Sequence, residues 1–419
     1  MNAAERVFEE WNTYAGKKAL RPRAADLKGM KLNARLKVIG ITGIRRSGKS
    51  SILMLLLQKL AAEGKNAAYI NIEDSRIKDS KTILDDILKW FGDAGYLLLD
   101  EITYANDWEG WLARNHELLK GKLHLIVSSS RKNLVVPVKP LRGRMLPYEI
   151  YPLSFAEFLQ FKGIEVEHTT AGVGRVEKAL DEYLVFGGFP EVVLFSDKTE
   201  KIRLLNSYFR DIIGLDVAEM AKENISTVEL FGKYVINTQH FSASKCLNFF
   251  KGLGYKIGKQ SILNLEKRSQ DGYLFFFVPI SSYNIKDRSQ YPRKAYMGDT
   301  GFMHAISGKT DMGRLFENAV FLELKRRIPQ QQEVHYWKSK AGFEADFVVR
   351  EGLKVKEIIQ VAYDLSNEKT KEREVRGLIA CAKEASLRHG LIITKDFEGI
   401  ETVDGIRIKF IPIRKWLLK

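Results

Sequence analysis

The sequence predicts an α/β fold: a parallel sheet with helices on both faces, then a largely helical region and a second α/β unit. Three observations predict it. Strand-like and helix-like segments alternate from residue 37 to about 155, the β-α-β pattern of a parallel sheet. A glycine-rich loop, Gly43–Ser50, stands where the first strand of that series meets the first helix. An apolar run ending in two carboxylates, Tyr96–Glu101, comes after one further strand and helix.

Each element can be justified in chain order. Lys37–Thr42 (K-V-I-G-I-T) reads as the first strand and Ser51–Ala62 as the first helix. Asn66–Ile72 is a strand, Ser80–Phe91 an amphipathic helix, and Tyr96–Glu101 (Y-L-L-L-D-E) the carboxylate strand. Trp108–Leu119 is helical, Leu123–Ser130 a strand, and Tyr148–Leu153 the last strand candidate.

The loop reads G-I-R-R-S-G-K-S, a complete G-x-x-x-x-G-K-S/T pattern, in the strand–loop–helix context that it requires. Gly43 and Gly48 let the backbone curl so that successive N–H groups face a β-phosphate. The helix N-terminus adds a partial positive charge. Gly43, Ile44, Arg45, Arg46, Ser47, Gly48, Lys49, Ser50 and Ser51 are therefore the candidate nucleotide-binding residues. Lys49 is placed to reach the β- and γ-phosphates, and the Ser50 hydroxyl to hold Mg²⁺.

Asp100 would share that Mg²⁺, and Glu101 would polarise the attacking water. Alone, an acidic pair after a strand reads as a solvated strand end; about fifty residues after a phosphate loop it reads as hydrolytic machinery. The interval suits the ASCE class of P-loop NTPases, in which a further strand lies between the loop strand and the carboxylate strand. Ser128–Ser130 end the next strand, where one serine, represented by Ser129, would orient the same water. Arg142 and Arg144 are candidates for a γ-phosphate-sensing arginine, in cis or from a neighbour, with Arg144 the named choice. The catalytic set is thus Glu101, Lys49, Ser129 and Arg144.

Composition sets outer bounds. A chain of 419 residues has room for two or three cores. Its two cysteines, Cys246 and Cys381, lie far apart, which argues against a disulfide framework and for a reducing compartment. The acidic, amphipathic start is unlike a signal peptide, and the longest apolar runs are too short to span a bilayer. The expectation is a soluble, cytoplasmic protein with no membrane partner. A net charge of +15 favours a polyanionic partner.

Residues 156 to 225 read as mainly helical, broken by Phe186–Pro190 (F-G-G-F-P). Residues 226 to 300 contain three helical stretches and a β-ribbon, the parts of a winged helix. Its basic residues Lys256, Lys259, Lys267, Arg268, Lys286, Arg288, Arg293 and Lys294 are expected to face a DNA duplex. From Gly313 onward the pattern is α/β again. The divisions expected are 1–160, a helical connector at 161–225, the winged helix at 226–300 and the tail at 301–419.

Together these stretches resemble a group of archaeal and bacterial AAA+-type ATPases with a restriction-endonuclease-like C-terminal domain. The resemblance rests on the loop, L-L-L-D-E-I, S-S-S, Y-P-L-S-F-A-E-F-L, Y-L-V-F-G-G-F-P-E-V, G-R-L-F-E-N-A-V and F-E-A-D-F-V-V. It runs along nearly the whole chain in the family's order. It implies a P-loop NTPase of AAA+/ASCE type, ATP as the nucleotide, a middle winged helix and a nuclease-like tail. Nucleases of that fold set an Asp on one strand and an acid-x-Lys on the next, which together hold a divalent metal. Asp346 matches the first position and Glu317 the acid on the preceding helix, but Gln360 stands for the strand acid and Ala362 for the lysine. The tail therefore reads as a degenerate nuclease site, with Lys338 or Lys356 the only nearby substitutes. The expected whole is a Mg²⁺-dependent ATPase acting on DNA, with oligomers open. The rivals are a nucleotide-controlled switch for a protein partner and an ATP-gated endonuclease.

Overall fold

The computed structural model describes residues 3–23, 37–134, 139–282, 284 and 291–419. The chain forms two compact units. The first takes the chain to Pro152 together with Asp271–Tyr273, and the second takes Leu153–Gln270 and Leu274–Lys419.

The first unit is a P-loop NTPase fold. Its elements are α1 (Ala3–Lys17), β1 (Val38–Thr42), α2 (Lys49–Ala62), β2 (Ala67–Asn71), α3 (Ile83–Phe91), β3 (Gly95–Asp100), α4 (Trp108–Leu118), β4 (Leu123–Ser129) and β5 (Met145–Glu149). All five strands are parallel, in the order β2-β3-β4-β1-β5. β4 therefore lies between the loop strand β1 and the carboxylate strand β3, as the sequence interval implies.

Because side chains alternate along a strand, each central strand feeds two cores. Leu97 and Leu99 of β3 join Leu125 and Val127 of β4 on the face covered by Trp108 and Leu112. Leu98 and Ile126 point the other way, against Leu53, Leu56 and Leu57 of α2. Strands buried on both faces read as continuous apolar runs, which is why Y-L-L-L and L-H-L-I-V were legible. α1 lies along edge strand β2, where Asn12 Oδ1 accepts the Tyr69 N–H at 3.2 Å and blunts an otherwise open edge.

The second unit begins with α5 (Phe155–Lys162), α6 (Thr170–Phe186), α7 (Pro190–Leu194) and α8 (Lys198–Asp211), the last running into a π-helical turn at Ile212–Ala218. This unit starts at Leu153 and so includes α5. The expected segments 161–225, 226–300 and 301–419 share this one unit, apart from Asp271–Tyr273. Two of the most specific motifs turn out to be fold devices. In L-S-F-A-E-F, Ser154 and Glu157 form a reciprocal capping box that starts α5. In F-G-G-F-P, Gly187 has φ +76°, and a Cβ there would sit 1.6 Å from Asp299 Oδ1. Asp299 accepts the N–H groups of Gly188 and Gly301 at 2.8 and 2.9 Å.

Next come α9 (Ile225–Ile236), β6 (His240–Phe241), α10 (Ala243–Gly252), α11 (Lys259–Asp271), β7 (Phe275–Val278) and β8 (Arg293–Met297), with the strands in the antiparallel order β6-β8-β7. The remainder is α12 (Gly301–Ser307), α13 (Met312–Arg327), β9 (Gln332–Lys338), β10 (Glu344–Glu351), β11 (Lys354–Ala362), α14 (Glu368–Glu384), β12 (His389–Thr394), β13 (Gly399–Val403), β14 (Ile406–Pro412) and α15 (Ile413–Leu417). These strands form a mixed sheet in the order β13-β14-β12-β11-β10-β9, with α14 packed on one face. Cys246 and Cys381 are buried free thiols. Among the described residues no helix is long and apolar enough to cross a membrane.

Candidate active site

The loop leaves β1 at Thr42 and enters α2 at Lys49. Gly43 is obligatory on steric grounds, since a Cβ would lie 1.9 Å from the Ile150 carbonyl oxygen. Gly48 takes φ +100° and Arg46 takes φ +69°, so the turn passes twice through left-handed backbone before the helix starts. Lys49 is only 4% exposed. Its ammonium donates to the loop's own carbonyls at Gly43 and Ile44 (3.1 and 3.2 Å) and lies 3.7 Å from Glu101 Oε1. The Ser47 hydroxyl is buried without a hydrogen-bond partner among the described residues. A buried orphan hydroxyl and a lysine folded back on its own loop fit a missing polyphosphate.

Asp100 ends β3, 1% exposed. The Ser128 hydroxyl donates to its Oδ1, and the Tyr69 hydroxyl donates to Oδ2 at 2.6 Å. The Ser50 hydroxyl reaches the same carboxylate. Ser50 and Asp100 thus meet where a Mg²⁺ would bind. Glu101 comes next, in left-handed backbone (φ +51°, ψ +47°), uncommon for a residue with a side chain. Its N–H donates to Ser128 Oγ at 2.9 Å, and its carboxylate accepts the Ser130 hydroxyl at 2.5 Å and the Ser130 N–H at 3.0 Å.

The two carboxyls are pushed apart in acidity. Burial and the charge of Glu101 raise Asp100, against hydrogen bonds from Ser128, Ser50 and Tyr69. Burial also acts to raise Glu101, but Lys49, Ser130 and Arg45 together bring it below the ordinary carboxylate range. Its surroundings thus favour the ionised form of Glu101, the form in which a carboxylate can accept a proton. A divalent ion beside Asp100 would reverse its upward shift.

Two expected catalytic residues have other partners. The Ser129 hydroxyl lies 3.4 Å from that of Thr103 and accepts the Arg131 N–H at 3.1 Å. Strand alternation turns its neighbours toward the carboxylates, so Ser128 holds Asp100 and Ser130 holds Glu101. Arg144 sits at the end of the sheet away from its own loop, which speaks against the cis role and leaves the role toward a neighbouring copy untouched. Its carbonyl accepts the N–H of Val38, which opens β1, at 2.8 Å, whereas the loop begins after Thr42. About 15 Å of strand separates it from its own loop. Its guanidinium pairs instead with Glu117 at 2.8 Å. Arg142 lies in the same distant turn.

Arg45 was among the candidate loop residues, whereas Tyr69 and Arg23 were not foreseen. Arg45 of the loop pairs with Glu73 and with the Tyr104 hydroxyl, both at 3.3 Å. Tyr69 positions Asp100 from β2. Arg23 is buried and donates to the Ser47 and Tyr151 carbonyls at 2.6 and 3.2 Å, buttressing the loop from its outer side. Only Arg45 left a trace in the sequence, as half of the R-R pair.

In the second unit the expected DNA-facing residues divide. Lys256, Lys259 and Lys267 are exposed on α11 and the turn before it. Arg268 is half-buried beside Asn264, and Arg293 turns inward to pair with Glu266. Lys286 and Arg288 lie outside the described residues. Lys294 is 1% exposed and so is not available to a duplex. Its ammonium lies 3.0 Å from Glu317, 2.8 Å from Glu344 and 2.7 Å from Asp346.

The structure does bring Glu317, Asp346 and Gln360 together. Asp346 accepts the Val361 N–H at 2.9 Å and donates its own N–H to Gln360 Oε1 at 3.1 Å. Gln360 Nε2 donates to Glu374 at 2.5 Å. Lys338 reaches only Glu344, at 3.4 Å, and Lys356 pairs with Glu351. Neither substitutes for the lysine missing at Ala362.

Comparison with known proteins divides the chain into three matched stretches. Residues 35–159 match the AAA domain family, and residues 177–313 and 312–416 match two domains of unknown function, DUF8612 and DUF4143. An uncharacterized protein of Methanocaldococcus jannaschii is 34% identical over 398 residues, covering 91% of this chain and 88% of that one. One from Haemophilus influenzae is 29% identical, covering 90% and 94%. Among solved structures, AMPPCP-bound DnaA from Aquifex aeolicus is 14% identical over 64% of this chain and 86% of its own, with a TM-score of 0.27. Drosophila ORC bound to AT-rich DNA and Cdc6 is 11% identical over 72% and 91%, with a TM-score of 0.22. At these scores neither likeness bears on function.

Proposed function

The chain belongs to the same family as the Methanocaldococcus jannaschii protein, and we propose that it is a Mg²⁺-dependent ATPase whose nucleotide state governs a DNA-binding second unit. One observation carries the enzymatic half. β4, threaded between β1 and β3, sets Glu101 3.7 Å from Lys49 and brings Asp100 to Ser50, so base, metal ligands and phosphate loop share one end of the sheet.

ATP would lie along the loop, its β-phosphate facing the Gly43–Ser50 amides and Lys49 turning from its own carbonyls to the β- and γ-phosphates. Ser50 and Asp100 would hold Mg²⁺, whose chemistry is to neutralise the charge that develops between these phosphates. Glu101 takes the proton of the attacking water, and Ser130 fixes its orientation through two hydrogen bonds.

The DNA-binding half rests on α9 to β8. Their helix–strand–helix–helix–ribbon order fits a winged helix, with Lys256, Lys259 and Lys267 exposed on the third helix and the turn before it. The test is ATP turnover with and without single- and double-stranded DNA at several salt concentrations. Stimulation that fades with salt supports the reading, and changing Lys256 and Lys259 to Glu should lower the salt slope by about one per lost phosphate contact. Turnover indifferent to DNA, with no measurable DNA affinity, would instead support the switch acting on a protein partner.

A further inference from the structure

The resemblance of the tail to nucleases implies a divalent ion held by Asp346 and an acid on the next strand. The residues present do not fit one. Gln360 occupies the acid's place, and both ends of its amide are spent, on the Asp346 N–H and on Glu374. Ala362 offers no donor or acceptor in its side chain. Among the described residues no group of three or more His, Cys, Asp or Glu is arranged to hold a metal. The point on which the carboxylates converge is taken by the chain itself.

We infer that Lys294 is the resident cation of the Glu317–Glu344–Asp346 cluster, standing where a divalent ion would otherwise bind and making this domain metal-independent. An ammonium has three protons to donate, and Lys294 Nζ has three carboxylates within 3.0 Å. The carboxylates come from two elements, Glu317 from α13 and the other two from β10, whereas Lys294 comes from β8. Two of the carboxylates hold a further donor: the Tyr296 hydroxyl donates to Glu317 at 2.5 Å, and the Val361 N–H donates to Asp346. Lys338 (3.4 Å) also faces Glu344, and His240 lies 3.8 Å away with burial favouring its neutral imidazole. A charge this deeply buried persists only when paired and hydrogen-bonded, and here the pairing fastens a strand of the small antiparallel sheet to the mixed sheet and its helix. Position 294 lies outside the tail, on a ribbon whose alternation turns Arg293 one way and Lys294 the other.

The test uses the full chain, freed of nucleotide and metal with EDTA. Bound Mn²⁺ is tracked by electron paramagnetic resonance and the thermal midpoint is read alongside. Wild type should hold no Mn²⁺ that Asp346→Asn removes. Lys294→Met, left with three unpaired carboxylates, should melt several degrees lower in EDTA and recover part of that loss in Mn²⁺. Adding Asp346→Asn to Lys294→Met should abolish the recovery. A wild-type Mn²⁺ ion lost in Asp346→Asn overturns the inference, as does a folded Lys294→Met protein indifferent to Mn²⁺. Should Lys294→Met not accumulate as folded protein, the wild-type measurement with its Asp346→Asn control decides alone.

Discussion

Changing Glu101 to glutamine separates nucleotide binding from hydrolysis. The carboxylate is held by the Ser130 hydroxyl at 2.5 Å and the Ser130 N–H at 3.0 Å, with Lys49 at 3.7 Å. A glutamine can keep both contacts to Ser130: its carbonyl oxygen accepts the N–H, and the hydroxyl turns to accept from the new amide. The side chain therefore stays in place, and Asp100, held separately by Ser128 and Tyr69, is undisturbed. What disappears is the charge facing Lys49 and the ability to take a proton from water. Loss of a positioned general base slows turnover by at least about 100-fold, roughly 2.7 kcal/mol of barrier. Lys49 is freed toward the phosphates, so ATP affinity should be retained or improved. Steady-state phosphate release gives the first quantity and calorimetric ATP titration the second. Undiminished turnover would remove Glu101 from the mechanism; lost ATP binding would show that its role is to shape the loop.

Lys49→Ala should abolish measurable ATP binding in the same calorimeter while leaving the circular dichroism spectrum unchanged, because what is lost is two hydrogen bonds to its own loop and the contact with Glu101, none of which spans the sheet. Gly187→Ala should cost about 3 kcal/mol or more in urea unfolding, since it combines left-handed backbone with a Cβ driven into Asp299. Gly163→Ala, at φ +66° with nothing within 4 Å of the added Cβ, should cost only about 1 kcal/mol. Asp299 gives a pH signature: burial raises it from 3.8 to about 6, so the folded state binds the proton more tightly than the unfolded chain. Its contribution is greatest below pH 3.8 and is lost as pH rises through about 6, a fall of roughly 3 kcal/mol. The unfolding free energy of wild type minus that of Asp299→Asn should decline by that amount across the window, and a flat difference would refute the assignment.

The first unit was legible because its chemistry is local. A phosphate loop is a run of consecutive residues whose backbone does the binding, and Gly43, Lys49 and Ser50 could not serve it at other spacings. The Asp100–Glu101 pair was legible because a strand buried on both faces leaves an unbroken apolar run ending in its carboxylates. The order of β4 between β1 and β3 came from counting elements. Sequence went further than chemistry at L-S-F-A-E-F and F-G-G-F-P, whose residues prove to be a helix cap and a left-handed turn. Harder to read was which end or which face of a strand a residue occupies. Arg144 was close to the loop in the order of elements and about 15 Å away along the sheet. Ser129 was one residue from two serines that hold the carboxylates, and a period of two turned it aside. Only the tertiary structure could join Lys294 to Glu317, Glu344 and Asp346, because no local pattern links a ribbon strand to carboxylates 23, 50 and 52 residues later. Sequence determined which groups the chain possesses and the local backbone that presents them; the packing of distant elements decided which charges meet.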